Sequence, residues 1–108
     1  MTYCPKFSLG ETNATPGFLK AISESGESPS IFLDRHASAD WGDISKEDAK
    51  KNEKSLKKGL RIRSEYETSK GVKLWVITKG DRSSTTIMLP SEYESQEVQE
   101  FRKKQELN

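Results

Sequence analysis

The chain has 108 residues and carries 18 Lys and Arg against 17 Asp and Glu, a formal net charge of +1. That length holds one domain and not two, and the balanced charge excludes a global field that would draw in nucleic acid or an anionic membrane, so binding to either needs a local patch. Only 31% of the residues are hydrophobic and 32% are charged, an apolar share below the roughly 45–50% of average globular domains even with glycine included. The core must be small: either part of the chain is an unpacked tail, or a partner surface completes the burial.

In chain order, Lys6 to Leu9 reads as a short strand with Phe7 and Leu9 on one side, and Gly10 to Asn13 as a turn. Thr15-Pro16 and Ser28-Pro29 repeat one signal, a hydroxyl at the N-cap followed by proline at the first helical position. The first predicts a helix carrying Phe18, Leu19 and Ile22 that stops near Gly26, and the second a helix with Ile31, Phe32 and Leu33 that runs to about His36. Ser45 opens a third helix, with Asp48 placed for a capping box, Glu47 and Asp48 at its positive end and Lys54, Lys57 and Lys58 at its negative end before Gly59.

The second half reads as β-structure. Leu60, Ile62, Ser64 and Tyr66 alternate with Arg61, Arg63 and Glu65, which predicts a strand with one wet face. Val72 to Thr78 is apolar on both faces, Leu74 and Val76 against Trp75 and Ile77, and should be the central strand. Thr85, Ile87 and Leu89 then alternate with Thr86 and Met88 until Pro90 ends the ladder. Short turns join the three strands into an antiparallel meander. Ser91 and Glu94 offer another capping box, for a C-terminal helix with Tyr93, Val98 and Phe101. The expectation is an α+β fold: a short N-terminal strand and three helices, then a three-stranded antiparallel meander and a C-terminal helix. Residues 1–108 form the single domain, with 1–5 and 103–108 frayed.

Cys4 is the only cysteine, so no internal disulfide forms, which suits a reducing, cytoplasmic setting. With only Lys6 as a basic neighbour, it reads as an inert thiol. The N-terminus lacks the apolar stretch of a signal peptide, and no segment approaches the roughly 18 apolar residues of a membrane helix. One histidine and no second cysteine leave no metal-ligand spacing, and no nucleophile triad, P-loop or dinucleotide glycine fingerprint is present. No metal or cofactor is expected.

Three segments could carry chemistry. The first, Arg35-His36 through Asp40-Trp41-Gly42-Asp43, holds the only histidine. His36 could be a general acid/base oriented by Asp40 or Asp43, or Trp41 could plug the core while the aspartates form turns and caps. The second is the hairpin Lys79-Gly80-Asp81-Arg82-Ser83-Ser84-Thr85-Thr86. Its guanidinium and hydroxyls could hold a phosphate, or it is an ordinary Gly-Asp turn leading into a Thr-rich strand. In the third, Arg61 and Arg63 share a strand face and with Lys73 could make a basic stripe, Trp75 serving as an aromatic platform. A solvated charged face is the alternative.

Taken together, Ala14-Thr15-Pro16-Gly17, Arg35-His36 with Asp40-Trp41-Gly42-Asp43, Glu47-Asp48 with Asn52, Gly59-Leu60-Arg61-Ile62, Trp75-Val76-Ile77-Thr78, Asp81-Arg82-Ser83 with Thr85-Thr86, and Leu89-Pro90 give the chain a resemblance. From about Thr15 to Tyr93 it resembles a family of short uncharacterised proteins carried on bacterial plasmids, phages and integrative elements. The resemblance implies accessory cargo of mobile DNA, among which anti-defence proteins, toxins and small regulators are common. It carries no catalytic roles, and Lys79 departs from the acidic residue it implies in that hairpin.

Two classes of function follow as expectations. The first is a non-enzymatic accessory protein that binds a host protein or nucleoprotein, with anti-defence as one role, through Arg35, His36, Asp40, Trp41, Asp43, Asp81 and Arg82. The second is a metal-independent ribonuclease of the barnase, colicin or RelE-like kind. There His36 is the acid/base, Arg61, Arg63 or Arg82 stabilise the phosphorane, and Thr85 or Thr86 donate hydrogen bonds. A dimerising structural module is a third reading, and it requires Trp41 and Phe101 on an exposed apolar patch.

Overall fold

The computed structural model describes residues 5–93. The elements run β1 (Glu11–Ala14), α1 (Pro16–Ser25), α2 (Pro29–Ala37), α3 (Lys46–Lys58), β2 (Ile62–Glu67), β3 (Lys73–Thr78) and β4 (Ser84–Met88), and residues 90–93 are again helical. The C-terminal helix expected beyond Tyr93, with Val98 and Phe101, lies outside the described residues, as does Cys4.

Each named helix starts where a hydroxyl is supplied. Thr15 accepts from the Phe18 amide at 3.3 Å, Ser28 from Ser30 at 3.4 Å and Ser45 from Asp48 at 3.1 Å. Proline stands at the first position of α1 and of α2. The capping box expected at Ser45 forms only half-way, because the Asp48 carboxylate turns to the Arg63 guanidinium, Nη2 to Oδ2 3.0 Å. An ion pair with a neighbouring strand has displaced the local bond.

The sheet has four strands in the order β1-β4-β3-β2. β2, β3 and β4 form the expected antiparallel meander, Ser64 facing Val76 and Val76 facing Ile87. β3 is interior, as its two apolar faces require. The N-terminal strand is the correction. It lies at Glu11–Ala14, where a turn was expected, and pairs parallel with β4, so the sheet is mixed. All four residues of β1 are exposed, so no apolar alternation marks it. The periodic pair Phe7 and Leu9 instead belongs to an irregular segment, with the Phe7 ring against His36 and Trp41.

One sheet face carries Ile62, Ser64, Tyr66, Leu74, Val76, Thr78, Thr85 and Ile87, all buried. Phe18 and Ile22 of α1 and Phe32 of α2 close over it to form the core. Fully burying side chains of this kind stabilises by roughly 1.5–3 kcal/mol each, which fixes α1 and α2 by these faces and leaves Leu19 and Ile31 exposed. Helix α3 sits differently. Its buried residues are Asn52 and Ser55, and it runs beside the outer edge of β2, held by polar contacts.

Candidate functional site

His36 is fully buried, with 0% exposure. Its Nδ1 lies 2.5 Å from Ser64 Oγ and its Nε2 2.8 Å from Thr78 Oγ1. Thr78 Oγ1 is 2.7 Å from Thr85 Oγ1, and Thr85 donates to the Leu9 carbonyl at 2.7 Å. Each hydroxyl has one proton, which sets the direction of the whole chain. Thr85 spends its proton on Leu9, so Thr78 donates to Thr85. Thr78 therefore accepts from His36 Nε2–H, and because burial disfavours a charged ring, Nδ1 is left without a proton and accepts from Ser64. The imidazole is neutral, protonated on Nε2 and fully satisfied. Burial, with the nearby Arg82 charge adding to it, pushes its pKa down to about 3. The network ties β2, β3, β4 and the segment before β1 to α2. It buries both His36, the candidate acid/base, and Thr85, a candidate donor, and makes them part of an internal tie.

The rest of the first segment covers the edge of β2. Trp41 is buried at 8% exposure and its indole donates to Glu53 Oε2 at 2.9 Å. Its carbonyl accepts from the Glu65 amide at 3.1 Å, and the Asp43 amide donates to the Glu65 carbonyl at 2.7 Å. Gly42 bridges Glu65 between them at φ 73°, where an added Cβ would lie 2.0 Å from the Glu65 carbonyl oxygen, so only glycine fits. Asn52 does the same for Arg63, its Nδ2 donating to the carbonyl at 2.7 Å and its Oδ1 accepting from the amide at 3.3 Å. The outward backbone groups of Arg63 and Glu65 are thus paired, which blunts that edge. Arg35 and Asp40 are exposed and paired with each other, Nε to Oδ2 2.7 Å, while the Arg35 guanidinium lies 4.5 Å over the Tyr66 ring. Asp43 is exposed. A protein contact through Trp41, or a dimer through it, has no exposed ring to use; Phe101 is outside the described residues.

The second segment is also committed to the fold. Arg82 holds a positive φ of 62°. Its Nη1 donates to the carbonyls of Leu60 at 2.7 Å, Gly80 at 3.1 Å and Lys79 at 3.2 Å, and its Nη2 to that of Ser55 at 2.8 Å. It is a cation at the negative end of α3 that also clamps the β3–β4 hairpin to the start of β2. Asp81 is exposed and accepts from the Ser83 amide at 2.9 Å, a turn-forming bond. Thr86 is half-buried on the opposite sheet face from Thr85. With both terminal nitrogens of Arg82 engaged, the hairpin is no phosphate cradle.

Two features remain accessible. One is the margin of the second sheet face beside α3, outside the buried Ile77 and Met88. There the Arg63 guanidinium lies 4.5 Å over the Trp75 ring, Trp75 meets Tyr93 edge-on at 5.5 Å, and Arg61 lies 5.4 Å over Tyr93. The Trp75 indole donates to Glu65 at 2.9 Å. Lys73, the expected third cation, is exposed, but the pocket beside Arg61 and Arg63 is completed by Lys51, with Asp48 and Asn52. The other feature is β1. The amide of Glu11 bonds to Ser83 and that of Thr15 to Ile87. A parallel strand sends alternate residues to opposite sides, so the N–H and C=O of Thr12 and Ala14 point away from the sheet and have no partner among the described residues.

Sequence reasoning missed both Lys51 and the β1 edge. Lys51 follows Asp48 by three residues, the helical spacing that puts both on one side of α3, a signal that was available. An edge strand exposed on both faces leaves no such signal. Among the described residues no group of three or more His, Cys, Asp or Glu gathers to hold a metal, and no helix is long and apolar enough to cross a membrane. Comparison with protein-family models, curated proteins and solved structures finds no match to the chain.

Proposed function

We propose that this chain is a non-enzymatic binding protein, an accessory of a mobile genetic element, that engages a host protein by adding an extended segment of it to the β1 edge. The observation that carries the reading is the outward pair of Thr12 and Ala14 backbone groups on a strand exposed at all four residues. Strand addition uses such groups for affinity, whatever the side chains of the added segment. The contrast with β2 supports it: Trp41, Asp43 and Asn52 cover that edge, while no described residue covers β1. The short β1 and Pro16, two residues beyond its end, limit pairing to a few residues, which admits one partner strand without inviting open-ended aggregation.

A ribonuclease acting through His36 gains no support from this geometry, because the ring is buried, neutral and engaged at both nitrogens. An anti-defence role is the purpose that best fits a binding protein carried as mobile cargo.

The test uses Thr12→Pro, which removes an amide proton the fold does not use and places a ring on the open edge. The tagged wild-type protein and T12P are compared by capture from a bacterial host extract. The proposal expects a host protein retained by the wild type and lost with T12P at unchanged stability. Equal capture by both would refute it.

A further inference from the structure

We infer that the pocket where α3 meets the start of β2 binds a phosphate group. Among the described residues it is lined by Lys51, Arg61 and Arg63 with the carboxylate of Asp48, and by Asn52. Asn52 spends its amide on the Arg63 backbone, so the cations set the character of the site. Among the described residues Lys51 and Arg63 outweigh the carboxylate of Asp48, and the net positive charge suits a phosphate monoester, which carries about −1.5 to −2 at neutral pH.

The donors are positioned in advance. Arg63 gives only Nη2 to Asp48, and its guanidinium carbon lies 4.5 Å from the centre of the Trp75 ring. Its remaining N–H groups therefore present a fixed fork, the geometry that suits phosphate oxygens. Lys51 adds a mobile ammonium from the helix side and has no protein partner among the described residues. Asp48 does not neutralise the site; its bond to Nη2 orients the guanidinium.

The inference is independent of the β1 edge. The shared chemistry is a phosphate group, and it has two sources: a free phosphate or nucleotide, or the backbone of a single-stranded nucleic acid. Amide resonances of the labelled protein, with the Trp75 indole, are followed at low ionic strength during titration with sodium phosphate, adenosine monophosphate and a short oligothymidylate. Low salt matters because exposed charges are screened within about 10 Å at 0.1 M. Saturable shifts are expected at Lys51, Asn52, Arg61, Arg63 and Trp75. Lys51→Gln and Arg63→Gln should each weaken binding about tenfold, the loss of one charge-assisted contact. Lys51→Gln touches no internal bond, so its effect does not depend on the fold tolerating Arg63→Gln. Saturation by the oligonucleotide at a tenfold lower concentration than by the mononucleotide assigns the nucleic-acid source, and equal saturation assigns the free phosphate. Failure of all three probes to saturate, or identical responses from the wild type and K51Q, would overturn the inference.

Discussion

Acid should destabilise this fold through one residue well before its carboxylates titrate. His36 has an ordinary value of 6.5 and is held near 3 in the folded chain, so between those limits the unfolded state binds one more proton. A group depressed by folding contributes stability that is complete above its unfolded pKa and is lost as pH falls towards the folded one. The loss runs at about 1.4 kcal/mol per pH unit once well below 6.5. Integrated from pH 6.5 to 4.5 it comes to about 2 kcal/mol. His36 is the only histidine, so no other side chain titrates through the upper part of that window. At lower pH carboxyls held below their ordinary range, Asp40 and Glu92 among them, add their own losses. Asp40 is lowered chiefly by its hydrogen bond from Arg35. Glu92 is raised by burial, but hydrogen bonds from Thr15, Leu89 and Gly17 outweigh that. Urea unfolding at half-unit steps from pH 7.5 to 4.5 measures the slope. His36→Gln, which keeps a donor and an acceptor, should flatten it above pH 5 whatever its absolute stability. A flat wild-type profile, or a slope that survives in H36Q, would refute the account of His36 as a buried neutral tie.

The contacts that hold the site elements make further predictions. Gly42→Ala should cost roughly 2–4 kcal/mol, since its backbone is left-handed and an added Cβ meets the Glu65 carbonyl at 2.0 Å; denaturant midpoints check this. Asn52→Leu strands the outward amide and carbonyl of Arg63 and should cost about 1–3 kcal/mol, with faster hydrogen exchange along β2. Arg82→Ala opens four carbonyl contacts and should cost about 2–3 kcal/mol, while Arg82→Lys restores only part because an ammonium cannot span them. Thr12→Pro should leave stability within about 0.5 kcal/mol of wild type, whereas Asn13→Pro, which breaks the β1–β4 ladder, should cost about 3 kcal/mol.

Much of this architecture is legible in the residues. The Thr-Pro and Ser-Pro pairs mark α1 and α2, Ser45 and Gly59 bracket α3, and the alternation from Ile62 to Met88 yields the meander with β3 inside. What stays illegible has physical causes. β1 buries nothing, so Glu11-Thr12-Asn13-Ala14 carries no periodicity, and a parallel pairing with β4 is a long-range event with no local signature. The side chains that suggest chemistry, a histidine and an aspartate-rich loop, look alike in sequence whether they face solvent or knit the interior. Only the distances from His36 to Ser64 and Thr78, and from Arg82 to its carbonyls, distinguish the two. Arg61 and Arg63 were readable as a basic pair, but their third partner, Lys51, comes from a helix that folds against β2 through a single asparagine and an ion pair.

The proposed role rests on β1 presenting an unpaired edge in the free protein, and amide hydrogen exchange resolved by residue tests that directly. Asn13 and Thr15 should be protected by their bonds to β4, while Thr12 and Ala14 between them exchange at nearly unprotected rates. Protection of Thr12 and Ala14 equal to that of their neighbours would mean the edge is already covered, and the binding account would be wrong.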